Sequence, residues 1–400
     1  MAFNAATFAD FFRLTTAKTL TGPETFVNEV LRQDHLWSIL ARGQDMARTI
    51  QGGTAIQDFV MLNAGSTRQR YSPDGEVSYP SRQVMTPWQI PFAFTVVSVS
   101  ITDHEIRKQI PSGMSTDGAM AVYKRLQSMY YAAAWTECIE GTENDCLAVP
   151  DTTKMEATPN TSPQEPYSIF AFVNEFPSGL YPSYAPGGAW TTKAGISPAT
   201  FPAWDNYRDT YTNNINTLAS GLDYDLFRAL DRAILKTRFR PAPLGKDVGE
   251  YRSRGTGVIA TSLVGVTNYM SGLRHAEQSF TGTDAGRPEP SHLGANIMYV
   301  PGFETAPVFR NAANTALVTE SDATCLGMGT AGVTAAPRYI GLQGAYMAPV
   351  WDSERYFDMR PAFSPEKQFW RKIIPIDTWA NLAPRSLRHQ FCVAPGGTIV

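Results

Sequence analysis

The feature that most constrains the fold of this chain is one uninterrupted helical pattern between Ser115 and Gly141. Small and apolar side chains recur in it at intervals of three and four residues, as on one face of an α-helix. Ser115, Thr116 and Asp117 can cap the first turn, and Gly141 is a typical C-terminal stop. The pattern predicts a helix over about 117–141, a rod of roughly 37 Å at 1.5 Å per residue. The recurring positions are Ala119, Val122, Leu126, Met129, Ala133 and Thr136.

A long polar hairpin is predicted immediately before this helix. The segment from Arg68 to Val84, RQRYSPDGEVSYPSRQV, has almost no aliphatic side chain and contains a Pro-Asp-Gly turn. Apolar segments flank it, AIQDFVML before and PFAFTVVSVSI after, and both are typical of strands. The apolar alternation of the second segment slips by one residue near Val96 and Val97, which predicts a β-bulge there. We therefore expect a two-stranded excursion with an apolar base and a polar tip.

The rest of the chain mixes helices and strands. Residues 146–200 are rich in Pro, Gly and Ser, and GLDYDLFRALDRAILKTRF from Gly221 predicts an amphipathic helix. GTGVIATSLVGVTNYMSGLR predicts a buried strand followed by a short helix, and strand and turn patterns continue from Asn296 onward. Helices and strands do not alternate as in βαβ units, so their order predicts an α+β fold.

No catalytic constellation is visible in the sequence. GMGTAG from Gly327 fits G-x-G-x-x-G, but no apolar strand precedes it and Pro337 soon follows, so we interpret it as a loop. The five histidines are scattered, and the four cysteines lack the spacing of a metal site or a disulfide framework. The sequence therefore predicts no catalytic residue, no cofactor site and no metal site, which favours a structural role.

Charge and composition limit the partners of the chain. Charged residues make up only 18% of its 400 residues and the net charge is −3, without the basic cluster of a sequence-reading nucleic-acid binder. The longest apolar stretches are far shorter than a membrane span, so no membrane partner is expected. The low charge is consistent with two alternatives, a surface that is buried between subunits and a β-rich monomer with many turns.

Three sequence elements, in this order, carry a resemblance to a known family. They are AGISPATFPAW from Ala194, MYVPGFETAPVF from Met298 and NLAPRSLRHQF from Asn381. Together with the hairpin and the long helix, they resemble the major capsid proteins of tailed bacteriophages with the HK97-type fold. Pro198 replaces a charged residue that is usual near the first element. The resemblance extends over nearly the whole chain.

The resemblance implies an α+β, HK97-like capsid fold with five consecutive parts. These are an N-terminal arm (1–55), an extended β-hairpin or E-loop with its base (56–110), a peripheral domain with a spine helix at about 117–141 (111–200), a mixed α/β axial domain (201–365) and C-terminal strands (366–400). A return of the last strands to the peripheral domain is an open alternative.

The resemblance also implies a function and its partners. The chain would assemble with itself into hexamers and pentamers of an icosahedral shell that encloses double-stranded DNA without sequence-specific binding. It would be made in the host bacterial cytoplasm and would reside in the virion capsid. A separate scaffolding protein is expected, because only residues 1–55 precede the hairpin. A portal protein and, as an option, a decoration protein complete the expected partners.

An E-loop of this kind would lie on another subunit. We expect Arg68, Arg70, Glu76 and Arg82 to pair with charges on a neighbouring spine helix or peripheral domain, and Trp88 to join the same contact. If these pairs are exposed, each would contribute only about 0–1 kcal/mol.

Two other functions stay open on the sequence. An encapsulin-like compartment has the same fold but encloses a cargo enzyme, and the lack of enzyme motifs does not separate it from a capsid. A soluble β-rich hydrolase with dispersed carboxylates needs no local motif. Size-exclusion chromatography separates a hydrolase from a shell protein, and electron microscopy of particles that contain nucleic acid separates a capsid from a compartment.

Overall fold

The computed structural model describes most of the chain beyond its N-terminal segment. The described residues are 36–37, 40, 48–62, 85–102, 104, 116–156, 164–176, 178–211, 225–240, 257–277, 290–322, 324–325, 337–361, 363–368 and 370–396. None of the helices in these ranges is both long and apolar enough to cross a membrane.

Helices and strands are both extensive in the structure, which confirms the α+β prediction. The helices are α1 (Thr116–Cys146), α2 (Thr152–Met155), α3 (Ile169–Phe172), α4 (Asp225–Thr237), α5 (Leu263–Glu277) and α6 (Gly302–Thr305). The strands are β1 (Arg48–Ile50), β2 (Ala55–Met61), β3 (Met85–Pro91), β4 (Ala93–Thr102), β5 (Tyr207–Tyr211), β6 (Gly257–Thr261), β7 (Ser291–His292), β8 (Ala295–Tyr299), β9 (Phe309–Arg310), β10 (Leu317–Val318), β11 (Tyr339–Gln343), β12 (Met347–Asp352), β13 (Asp358–Met359), β14 (Arg371–Pro384) and β15 (Phe391–Pro395).

The residue contacts divide the chain into two compact units. Unit 1 contains Thr95–Thr142 and Arg355–Thr378, and unit 2 contains His35–Phe94, Glu143–Glu354 and Trp379–Val400. The division falls at residue 142, inside the segment 111–200 that the sequence assigns to one domain. The C-terminal strands are also divided, because the first half of β14 belongs to unit 1 and β15 belongs to unit 2.

The largest sheet of unit 2 has six strands in the order β5–β15–β11–β6–β8–β7. The amphipathic helix predicted from Gly221 begins at Asp225 as α4. Its buried residues Leu226 and Leu230 share one apolar cluster with strand residues of this sheet. Leu235, which the helical spacing places on the same face, is exposed instead.

The main core of unit 2 draws heavily on the segment 164–204. Its composition predicts loops and short strands, and the structure confirms that it is mostly turns. Yet most of its aromatic side chains are almost fully buried, because turns can pack large rings wherever their backbone groups find partners. The buried rings are those of Tyr167, Phe170, Phe172, Phe176, Tyr181, Trp190 and Trp204.

The hairpin before the long helix is built from β2 and β3. They pair antiparallel from Ala55↔Pro91 to Met61↔Met85, so the returning strand is Met85–Pro91. The apolar segment PFAFTVVSVSI was predicted to be this returning strand. It forms β4 instead, which pairs with β14.

The change of face also lies earlier than the predicted β-bulge. Phe92 and Ala93 are consecutive and both buried, because the chain leaves one sheet and enters another at this point. The predicted slip near Val96 and Val97 is therefore corrected to Phe92–Ala93. Beyond it, β4 alternates regularly between exposed and half-buried residues as far as Ser100.

Unit 1 combines the long helix with strands β4, β13 and the first half of β14. Ala134, Cys138 and Ile376 form its buried cluster, and Val97 and Val99 pack against it half-buried.

The long helix is confirmed, but its predicted stop at Gly141 is wrong. α1 continues to Cys146, since a glycine inside a helix costs only about 1 kcal/mol relative to alanine. Glu143 and Cys146, beyond the glycine, are buried. The Glu143 carboxylate accepts the backbone amides of Leu36 (3.0 Å) and Trp37 (2.9 Å). These tertiary contacts favour the additional turn.

Asp145, near the end of α1, makes stability depend on pH. Burial and the nearby Glu165 raise the pKa of Asp145 to about 6. The folded chain therefore binds this proton more tightly than the unfolded chain does. The stability that the bound proton provides is lost as the pH rises through about 6. We expect Asp145→Asn to increase the free energy of unfolding at pH 8 by on the order of 1 kcal/mol.

Denaturant titrations of both proteins across the pH range measure this effect. The difference between them should vanish at acid pH, where Asp145 is protonated in both states. Lys154→Gln, at an exposed position beside Glu165, is a control that changes a nearby charge without removing a buried acid. A pH-independent difference for Asp145→Asn would contradict the prediction.

Candidate functional site

One face of the β2–β3 hairpin is apolar and open to solvent. Two cross-strand pairs, Phe59↔Pro87 and Met61↔Met85, bring four apolar side chains together on it. Phe59, Met61 and Met85 are 60%, 65% and 58% exposed, and Pro87 is exposed as well. Single exposed apolar side chains are common, but a contiguous group indicates an interaction surface. These four residues are called the hairpin face below.

The opposite side of the hairpin fixes it to unit 2. Ile56, Trp88 and Ile90 are buried in the main core, and the amide of Gln89 donates to the carbonyl oxygen of Ala194 (3.2 Å). The base of the hairpin is therefore firmly placed, and little conformational entropy is lost when its outer face meets a partner.

The structure changes the set of residues predicted to contact a neighbour. Arg68, Arg70, Glu76 and Arg82 lie outside the described residues. Trp88 is only 3% exposed, because it lies on the inward side of β3 and packs in the core of its own chain. We therefore remove Trp88 from the candidate contacts. The residues of the hairpin face, which were not singled out from the sequence, take its place.

Unit 1 carries a second group of exposed apolar side chains. Val96, Trp135, Met359, Phe363 and Trp370 are between 44% and 62% exposed. Exposed apolar side chains of this size suit a contact with another chain. These side chains are thus a second candidate surface for contacts with another chain.

The cavity beneath the hairpin is too small for an organic ligand. Its volume is about 40 Å³, and its lining includes Ile56, Trp88 and Val350. Ligand pockets usually measure about 300–1,000 Å³, whereas this space suits a water molecule. Among the residues that the structure describes, no group of His, Cys, Asp and Glu side chains is arranged to hold a metal ion.

A prominent charge cluster of unit 2 is enclosed in the fold. Arg338 Nε donates to Glu175 Oε2 (3.1 Å), and their side chains are 0% and 2% exposed. The backbone amide of Arg338 donates to Glu320 Oε1 (2.9 Å), and its guanidinium lies 4.7 Å above the centre of the Phe309 ring. Such burial leaves no approach for a substrate, so we assign this cluster to the stability of the fold.

The first of the three resemblance elements forms a tight turn around a buried lysine. Lys193 and Ile196 pair across the turn, in which Ala194 and Gly195 have φ angles of 53° and 83°. Trp204 Nε1 donates to the carbonyl oxygen of Lys193 (2.9 Å). The tryptophan at the end of the element therefore stabilises the turn at its start. This hydrogen bond explains the distance in sequence between the turn and Trp204.

This architecture is shared with solved phage capsid structures. A chain of the cyanophage A-1(L) capsid is 13% identical, with a TM-score of 0.51, and the match covers 95% of this chain and 98% of that chain. The protein has the fold of a phage capsid subunit. The α+β capsid fold that the resemblance implies is thereby confirmed, and at this identity the likeness establishes the fold alone.

Other capsid structures are similar at lower scores. A chain of the mature capsid of bacteriophage PhiM1 is 12% identical, with a TM-score of 0.45 and coverage of 95% of this chain and 93% of that one. A chain of the capsid of an empty GTA particle is 10% identical, with a TM-score of 0.46 and coverage of 99% and 100%. No family model matches the sequence, and no curated protein matches it.

Proposed function

We propose that this chain is a major capsid protein of a tailed bacteriophage, a structural subunit that assembles into hexamers and pentamers of an icosahedral shell around double-stranded DNA. The hairpin face is the observation that carries the proposal. A chain with a phage capsid fold holds four apolar side chains outward on a hairpin whose other side is locked in its own core. A contiguous exposed apolar surface of this kind marks a contact with a partner.

Other copies of the same chain are the partner that best fits these surfaces. Interfaces in permanent assemblies are large and apolar, and both the hairpin face and the exposed side chains of unit 1 suit that kind of contact. A shell of identical chains buries each surface once per copy, so a modest gain per contact is multiplied over the particle.

The polar tip of the hairpin is proposed to add charge pairs to this contact. Arg68, Arg70, Glu76 and Arg82 lie between β2 and β3 in the sequence, and Glu137 is exposed on α1. We propose Glu137 of a neighbouring copy as one acceptor for these arginines. Exposed pairs contribute about 0–1 kcal/mol each, so they would define the register of the contact more than its strength.

The remaining partners follow from the same proposal. A separate scaffolding protein would guide assembly, a portal protein would occupy one vertex, and a decoration protein is an optional addition. The net charge of −3 suits a shell that contains DNA without binding it tightly. The chain would be synthesised in the host bacterial cytoplasm and reside in the virion capsid.

Size-exclusion chromatography and negative-stain electron microscopy test the proposal. We expect the full chain, expressed alone or with the phage's scaffolding protein, to form capsomers or closed shells. A stable monomer under both conditions would contradict the proposal and favour the hydrolase. Native particles that contain a protein cargo and no nucleic acid would favour an encapsulin-like compartment.

A further inference from the structure

The turn at Lys193 holds a buried amine against a side-chain amide. Lys193 is 1% exposed, and its Nζ lies 3.0 Å from Asp205 Oδ1 and 3.2 Å from Asn206 Oδ1. Its third contact is the carbonyl oxygen of Phe172 (2.5 Å). Burial lowers the pKa of Lys193 to about 8 although Asp205 opposes the shift. A larger fraction of this amine is therefore neutral and nucleophilic near neutral pH than for an exposed lysine.

The amide of Asn206 is polarised by the groups around its oxygen. Besides Lys193 Nζ, Asn206 Oδ1 accepts Arg208 Nη2 (3.0 Å), and the backbone amide of Asn174 lies 3.5 Å away. Asn206 Nδ2 donates to the carbonyl oxygen of Asn174 (3.0 Å), which orients the nitrogen side of the amide. Donors gathered on one carbonyl oxygen stabilise the negative charge that a nucleophile creates there, as in an oxyanion hole.

Asp205 is placed to relay a proton. Its two carboxylate oxygens accept Arg208 Nη1 (2.7 Å) and Nη2 (2.5 Å). Burial alone would raise the pKa of Asp205, but the charges of Lys193 and Arg208 outweigh it, and the pKa lies below its usual value. The carboxylate is therefore ionised at neutral pH and lies 3.0 Å from Lys193 Nζ, where it can relay a proton from the nitrogen once that nitrogen has attacked the amide.

We propose that Lys193 and Asn206 of the same chain join in an isopeptide bond. The Lys193 ammonium first loses a proton to solvent, and the neutral Nζ attacks Cγ of Asn206 while Oδ1 takes up the negative charge. Asp205 then takes a proton from the attacking nitrogen and passes it to Nδ2. Collapse of the intermediate breaks the Cγ–Nδ2 bond, and the ammonia that leaves takes up a proton from solvent as ammonium. One ammonium and one amide give a secondary amide and an ammonium ion, without any further reactant.

The bond would lock the Lys193 turn to the beginning of β5. The same turn receives the amide of Gln89 from the hairpin base, so the covalent link would stiffen the support of the hairpin face. The reaction takes place within one chain. It does not depend on assembly or on the proposed function.

Intact mass spectrometry of the denatured full chain tests this inference. After incubation of the folded protein at a pH near the lysine pKa of about 8, we expect a mass lower than the sequence mass by one ammonia. Trypsin should no longer cleave after Lys193, and the peptide that contains both residues should carry the whole deficit. Bond formation should accelerate as the pH rises toward this pKa.

Variants separate the reaction from a purely structural role. Lys193→Arg and Asn206→Ala should both retain the full sequence mass. Lys154→Arg is a matched control, because Lys154 also lies close to a carboxylate (2.8 Å from Glu165) but is exposed, and it should still lose one ammonia. The wild-type chain at full mass after incubation would overturn the proposal, and so would the loss of water, which would place the bond on Asp205.

Discussion

Replacing the exposed hairpin face with polar side chains is expected to abolish assembly without unfolding the chain. The variant Phe59→Thr, Met61→Thr and Met85→Thr keeps residues of high strand propensity on β2 and β3. These side chains are exposed in the single chain, so their removal costs little folding energy. Each would contribute about 1.5–3 kcal/mol when covered in an interface. Loss of three such contributions per contact should leave capsomers or monomers where the wild type forms shells.

Chromatography, electron microscopy and thermal melting of the same preparations check this result. Leu235→Thr with Leu263→Thr is a matched control, because both leucines are exposed but lie on α4 and α5, not on the hairpin. The control should assemble like the wild type. Normal shells from the triple variant would show that the hairpin face is not an interface. A large drop in the melting temperature of the variant would show that other residues of the same chain already cover the hairpin face.

The second large effect is expected from the buried pair of Arg338 and Glu175. Arg338→Met leaves Glu175 as a buried carboxylate without its cation, although it still accepts the backbone amide of Arg310 (2.6 Å). Breaking one side of a buried pair usually costs about 3–5 kcal/mol. We expect a loss of that size in the free energy of unfolding, measured by denaturant titration.

A double variant shows whether charge is the cause. Arg338→Met combined with Glu175→Gln removes the unpaired charge and should recover part of the loss, since glutamine can still accept the Arg310 amide. Lys154→Met is the exposed control, and its pair with Glu165 should contribute at most about 1 kcal/mol. A loss below that value for Arg338→Met would contradict the assigned role of the buried pair.

Local patterns in the sequence were sufficient for several parts of the structure. The long helix follows from apolar side chains at intervals of three and four residues, and α4 follows from the same signal. The alternation in β3 was also a usable signal for the hairpin face, because Met85 and Pro87 lie on the side opposite Trp88. The sequence instead predicts Trp88 in the contact with a neighbour, whereas the structure buries this side chain.

Other features depend on residues that are far apart in the chain. The prediction that α1 ends at Gly141 was wrong, because the contacts that extend the helix come from Leu36 and Trp37, about a hundred residues earlier in the chain. Likewise, the partner of β4 is β14, which nothing in the apolar segment after the hairpin could indicate.

Short-range periodicity was sufficient for the α+β class, the long helix and the first strand of the hairpin, and three motifs in order carry the resemblance to capsid proteins. The tertiary structure alone decided which strand closes the hairpin, which of its faces is exposed and which charges meet in the core. Arg338 and Glu175 are 163 residues apart, and Lys193 reaches back to Phe172 and forward to Asp205 and Asn206. Such contacts arise only when distant segments pack together, so no local pattern encodes them.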